Sequence, residues 1–248
     1  MKPTYIDINC DAGEGIENEE ALFPHISSCN IACGGHAGDR MSMEQTVQWA
    51  QRYRVRIGAH PSYPDKVNFG RKSLSMDPNE LTAALTGQIN GLENIIKNRG
   101  AVLHHIKPHG ALYNDLAKDG KLVATVLNAL LPYRKSTYIY AAYGSLFGMK
   151  AINSGFKVKW EAFLDRNYND DLTLVSRTHE NALIQQPEKV FQHMLAMYHR
   201  KKVKTVTGME IDMLADTYCV HGDTPAALPI MTYMEKELKR NNITIAKA

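Results

Sequence analysis

The chain has 248 residues, 44% of them hydrophobic and 22% charged, which is ample apolar material for the core of one domain. A net charge of +3 with no long Lys/Arg cluster argues against a nucleic-acid binder. No apolar run reaches the roughly 20 residues of a membrane span, and no apolar leader follows Met1. The four cysteines, Cys10, Cys29, Cys33 and Cys219, contain no CxxC pair, so they read as reduced thiols of a cytoplasmic protein.

Strand-like runs at 4–10, 27–34, 55–60, 101–107, 137–142, 157–164 and 211–220 alternate with helical patterns along the chain. The pattern predicts helices over 41–54 and 119–131. Between them, 78–98 repeats Leu81, Leu85, Ile89, Leu92 and Ile96 at helical spacing, after Asp77 as a cap and Pro78 in the first turn. Pro187 opens a helix over 187–200, whose basic end continues into Lys201-Lys202, and 225–240 forms the last. Seven strands alternating with helices imply βαβ units and a parallel sheet. The segment "DINCDAGEGIEN" lacks the GxGxxG of an open dinucleotide-binding sheet, and no linker divides 1–248. The expectation is a single α/β domain, a seven-stranded parallel β/α barrel.

Strands buried on both faces should be apolar throughout, yet one parity here is polar. Asp7, Asn9 and Asp11 alternate with Ile6, Ile8 and Cys10; later strands add Asn30, His60, then His105, Lys107 and His109, then Glu161 and Asp165. His36 follows the second strand, and "DTYCVHGD" brings Asp216, His221 and Asp223 after the last. One parity points to one side of a sheet, so these groups should wall a polar interior, concentrated at the carboxyl ends where barrel enzymes build sites. Asp7 and Glu161 lie deeper and read equally as partners of a buried lysine or of backbone donors. His25, His179, His193 and His199 read as structural, and Cys29 and Cys33 should pack against helices.

A buried Lys107 either loses basicity or binds an anion, and Asp11 and Asp165 suit a general base and acid. A divalent metal would take Asp11, His36 and His60, although no HExxH helix supports it. The loop "SYPDKVNFGRK" (62–72) reads equally as a lid or clamp, with Arg71 suited to a carboxylate or phosphate, and as a plain cover that lays Phe69 over the barrel mouth. Neither a GxSxG elbow nor a GxxxxGK[ST] phosphate loop is present.

In order and spacing, "DINCDAGEG", "ISSCNIACGGHAGD", "IGAHPSYPD", "HIKPHGALYN", "EAFLDRNY", "LVSR" and "DTYCVHGD" resemble the LamB/YcsF family, known as the A subunit of bacterial 5-oxoprolinase. Arg40, Cys29 and Asp170-Asp171 depart from the usual pattern of that family. The resemblance implies a barrel of the glycoside hydrolase/deacetylase type and ATP-dependent opening of 5-oxoproline (pyroglutamate) to L-glutamate with separate B and C subunits, which would handle the ATP. It also implies a site of Asn9, Asp11, His36, His60, Lys107, His109, Tyr113, Asn114, Asp165, Arg166 and His221. In that setting Asp11 is expected to activate water, Asp165 to protonate the leaving nitrogen, His109 to donate to an oxyanion, and Lys107 with Arg71 to hold a carboxylate or phosphate. A stand-alone metal-dependent amide hydrolase or deacetylase, or a non-catalytic carboxylate-binding subunit, are the alternatives. Surface methionines leave room for a homo-oligomer.

Overall fold

The computed structural model describes residues 4–248. The chain opens with two short strands, β1 (Thr4–Ile6) and β2 (Ile8–Ala12), and continues through β3 (Ser28–Ala32), α1 (Arg40–Arg52), β4 (Arg56–His60) and α2 (Pro78–Asn98). β5 (Leu103–Ile106), α3 (Gly110–Leu116), α4 (Gly120–Ala129), β6 (Tyr138–Ala142), α5 (Leu146–Asn153) and β7 (Lys157–Phe163) follow. The last part holds α6 (Pro187–Arg200), a β8 (Lys202–Lys204) and β9 (Glu210–Asp212) hairpin, β10 (Thr217–Val220), α7 (Ala227–Arg240) and β11 (Ile243–Ile245).

Seven of these strands close into a parallel barrel in the order β2-β3-β4-β5-β6-β7-β10, with β10 pairing back onto β2. The predicted seven-stranded β/α barrel is therefore the fold. Two predicted strands split. The run at 4–10 breaks at Asp7, so β1 leaves the barrel to pair in parallel with β11, while β2 continues to Ala12. The run at 211–220 divides into β9, in the hairpin, and β10, in the barrel. The short helices α3 and α5 are additions that the sequence pattern does not reveal.

Local signals place the helices well. Asp77 accepts from the Asn79 amide, fixing the start of α2 at Pro78. Asp39 and Ser42 form a reciprocal capping box at α1. Asp119 accepts from the amides of Lys121 and Leu122, and α4 ends at Ala129, just before a 3-10 turn containing Pro132.

Ile8, Cys10, Cys29, Ile31, Ile57 and Ala59 belong to the main apolar core. The opposite parity turns inward. Parallel register sets Asp11 beside Asn30, Asn30 beside Gly58 and Gly58 beside His105, so these share the interior face. Gly58 is required there, because a Cβ would collide with the His105 ring.

Candidate active site

The interior is stacked in polar layers. In the lowest, the Asp7 carboxylate accepts from Ser28 Oγ (3.2 Å), Thr217 Oγ1 (2.9 Å), Arg56 Nη1 (3.0 Å) and Lys159 Nζ (3.1 Å). Four donors, two of them cationic, surround one carboxylate, which is how a buried carboxylate is tolerated.

Above it, Lys107 rises from the end of β5, 2% exposed. Its Nζ lies 3.0 Å from Asp11 Oδ1, 3.0 Å from Glu161 Oε1, 3.1 Å from Cys219 Sγ and 3.4 Å from Asn9 Oδ1. Burial opposes its charge, but Asp11 and Glu161 outweigh burial and hold the ammonium well above the usual lysine range. The same pairing works on Asp11: burial would raise its pKa, yet His60 and Lys107 hold it well below the carboxylate range, so it stays ionised. Asn30 orients the layer, donating to Asn9 Oδ1 (2.8 Å) and Asp11 Oδ1 (2.7 Å) while His105 Nε2 donates to Asn30 Oδ1 (2.6 Å). Tyr113 donates to Glu161 Oε2 at 2.7 Å.

The upper layer is different. His60 Nδ1 is 2.7 Å from the Lys107 carbonyl, and His109 Nε2 is 2.9 Å from the Phe69 carbonyl. A carbonyl only accepts, so each of those nitrogens carries its proton. The other two nitrogens, His60 Nε2 and His109 Nδ1, then face each other at 3.0 Å. Asp11 Oδ2 stands 3.4 Å from the first and Glu14 Oε1 3.5 Å from the second. His36 Nε2 contacts Glu14 Oε1 at 2.9 Å, and its ring stacks on His109 at 3.6 Å. Burial drives His36 down to about 3 and His109 well below the usual histidine range, while burial and the charges of Asp11 and Asp223 push Glu14 up to about 7. With His60 and Glu14 unprotonated, lone pairs and carboxylates converge there with too few protons, and either a further proton or a divalent cation completes such a cluster.

The ligating atoms of Glu14, His36, His60 and His109 all lie within 4.8 Å of one another. Imidazole nitrogens with a carboxylate form a donor set that suits a divalent ion such as zinc. The expected trio of Asp11, His36 and His60 is not what the chain assembles. Asp11 Oδ1 is taken by Lys107 and Asn30, and Glu14 and His109 stand with the two histidines instead. Asp11, Cys219 and His221 also approach within 4.8 Å, but burial keeps the Cys219 thiol protonated and the Lys107 ammonium already donates to it, so this set fits a metal poorly.

On the far wall Asp165 Oδ1 meets His221 Nδ1 at 3.0 Å, and Oδ2 accepts from the His221 amide (3.1 Å) and from Thr224 (2.6 Å). Burial opposes its charge, but His221 and Thr224 hold Asp165 below the usual range. A carboxylate so held is an orienting base and a poor acid.

A barrel with this chamber at its carboxyl end is matched at family level. The LamB/YcsF family model matches residues 6–248. This chain belongs to the LamB/YcsF family. The lactam utilization protein of Thermus thermophilus is 31% identical, with 99% of this chain and 100% of that one covered and a TM-score of 0.92. An Enterococcus faecalis V583 protein named for cellobiose-phosphate cleavage shares the fold at a TM-score of 0.61 and 12% identity, covering 99% and 98%.

Several expected residues of this LamB/YcsF chain stand elsewhere than the sequence suggests. Arg166 is buried and spends its guanidinium on the carbonyls of Val175 (2.6 Å) and Ala182 (3.4 Å), tying down the loop after β7. Asn114 is turned away from the chamber on α3, because a helix turns about 100° per residue and Tyr113 takes the inward direction. Asp216 accepts from the Trp160 amide (2.9 Å) at a position below the mouth. Arg71 sits at the mouth, contacting Asp223. Asn9, Asp11, His36, His60, Lys107, His109, Tyr113, Asp165 and His221 are gathered in or beside the chamber. Sequence reasoning passes over Glu14, although it lies three residues beyond Asp11 in the glycine-rich "DAGEG", and treats Cys219 as an ordinary thiol although it shares the inward register of Asn9.

Proposed function

We propose that this chain is the A subunit of an ATP-dependent 5-oxoprolinase, opening the lactam of 5-oxoproline to L-glutamate together with separate B and C subunits. Family membership and the name of the Thermus thermophilus neighbour support the substrate class. The observation that carries the chemistry is the pairing, in one buried chamber, of an ionised Asp11 backed by Lys107 with a His221–Asp165 couple.

Water adds to the lactam carbonyl carbon while Asp11 takes its proton; the C–N bond then breaks, and the nitrogen takes a proton from His221, which Asp165 orients. His221 therefore replaces Asp165 as the acid, because Asp165 has no proton to give. Lys107, with all its donors engaged, keeps Asp11 charged and does not clamp a substrate carboxylate. His109 spends its Nε2 proton on the Phe69 carbonyl, so it does not donate to an oxyanion. Activation of the amide with ATP falls to the partner subunits, since this chain has no phosphate loop. A divalent ion held by Glu14, His36, His60 and His109 would supply Lewis-acid polarisation of the carbonyl oxygen.

Asp11→Asn, assayed in the assembled complex with ATP, should lower kcat by about 10²–10⁴-fold with the fold retained; an unchanged rate refutes the role. The Glu14–histidine cluster also favours a second reading, a metal-dependent amide hydrolase acting alone. That reading requires turnover without ATP or partner chains, and about one bound divalent ion per chain.

A further inference from the structure

Asp223, in the loop after β10, serves two guanidinium groups at once. Arg71, from the loop after β4, contacts its Oδ2. Arg177, from the loop after β7, reaches Oδ2 with Nη1 at 3.1 Å and Oδ1 with Nη2 at 3.3 Å, a two-pronged carboxylate clasp. In the closed strand order, β4 and β10 are separated by β2 and β3 one way and by β5, β6 and β7 the other. The Arg71–Asp223 contact therefore bridges across the barrel mouth, above the chamber of Asp11 and the histidines.

The main chain around this bridge is fixed. The Gly70 carbonyl accepts from the Ala111 amide at 2.9 Å, and a Cβ on Gly110, at φ +55°, would stand 2.6 Å from that same oxygen. On the other side, the His221 amide and the Thr224 hydroxyl both bind Asp165. The loops holding Arg71 and Asp223 are thus anchored, so breaking the bridge requires rotation of side chains alone. The side chains are also reachable from solvent, at 44%, 31% and 22% exposure for Arg71, Arg177 and Asp223.

We propose that Arg71 and Arg177 form the recognition site for the carboxylate of a small substrate, and that Asp223 is an internal stand-in which the incoming carboxylate displaces. Two guanidiniums share one carboxylate, leaving a net positive charge at the entrance that attracts an anion. Replacing one carboxylate by another conserves the clasp, so affinity is set by competition with the tethered Asp223. A ligand gripped there projects its remaining atoms down toward Asp11. This inference rests on the lactam reading for the identity of the ligand, and on the mouth alone for its carboxylate.

The test is calorimetric titration of the full-length chain with 5-oxoproline, with 2-pyrrolidinone (the same lactam without its carboxylate) and with glutarate (carboxylates without a lactam). Asp223→Asn should tighten 5-oxoproline about tenfold, the factor expected when a site closed nine-tenths of the time is freed, and leave 2-pyrrolidinone unchanged. Arg177→Gln should weaken 5-oxoproline about tenfold or more, again sparing 2-pyrrolidinone, with Arg177→Lys intermediate because it keeps the charge and loses the fork. Unchanged or weaker 5-oxoproline binding by a folded Asp223→Asn protein overturns the displacement. So does the lack of any carboxylate binding by wild type and variant alike. If glutarate follows the same Arg177 and Asp223 dependence and 5-oxoproline binds no tighter than glutarate, the carboxylate site stands and the lactam reading fails.

Discussion

Two layers of the same barrel interior hold buried carboxylates and mean different things. Around Asp7, four donors meet the carboxylate, two of them cations, and nothing is left over. Around Glu14, His36, His60 and His109, the carbonyls of Lys107 and Phe69 each claim one ring proton, and the remaining nitrogens face each other and two carboxylates, so that without a further proton or ion acceptors face acceptors. Both layers are polar, inward and buried. What separates a structural layer from a reactive one is the balance of donors against acceptors, since an unbalanced buried cluster is costly unless a proton, ion or substrate completes it.

The largest effect should come from cutting the link between the layers. Lys107→Met leaves Asp11 and Glu161 facing each other without their cation, and removing one partner of a buried ion pair costs about 3–5 kcal/mol. Chemical denaturation should show that loss, and an added Glu161→Gln should recover part of it. A cost under about 1 kcal/mol for Lys107→Met would mean that water already reaches this layer.

Binding a divalent ion should stabilise the upper layer by about 2.7 kcal/mol at a hundredfold excess over Kd. Chelator-treated chain titrated with zinc should gain that stability, and His60→Gln and His109→Gln should each abolish the gain. If thermal unfolding does not respond to zinc, the missing cation is a proton, and the metal-dependent reading falls.

Much of this architecture is legible in the sequence because period-two alternation marks the inward face directly, as in Ile6-Asp7-Ile8-Asn9-Cys10-Asp11. The caps at Asp77 and Asp119 are local and readable for the same reason. The strand break at Asp7 is not, because the partner that captures β1 is β11 at the other end of the chain. The ring tautomers are hidden too, since they depend on which carbonyls lie nearby. Arg71 reads as an anion binder, but its partner stands 152 residues away. Asn114 and Arg166 are misplaced for one reason: adjacency in sequence to Tyr113 and Asp165 carries them along, although neighbouring side chains in a helix or an extended segment point in different directions.

A third comparison uses pH. Asp165 has a folded pKa depressed below the unfolded value of about 3.9. Its stabilisation is therefore fully present above that unfolded value and is lost as the pH falls through the folded one. Asp165→Asn should lower stability by about 1–3 kcal/mol at neutral pH, the cost of disturbing a buried hydrogen-bonded group, and the gap to wild type should narrow below about pH 4. A gap that stays constant with pH would show that Asp165 contributes by shape and hydrogen bonding and not by charge.

The smallest effect belongs to the balanced layer. Lys159 and Arg56 both contact Asp7 Oδ2, and the Lys159 side chain is 22% exposed. Lys159→Met leaves Asp7 with Arg56, Ser28 and Thr217, so the carboxylate keeps a cation and two hydroxyl donors. The loss should stay within about 1 kcal/mol, and binding of 5-oxoproline at the opposite end of the barrel should not change. If removing Lys159 costs as much as removing Lys107, the lower layer is no better compensated than the middle one, and donor count alone does not distinguish structural from reactive layers in this barrel.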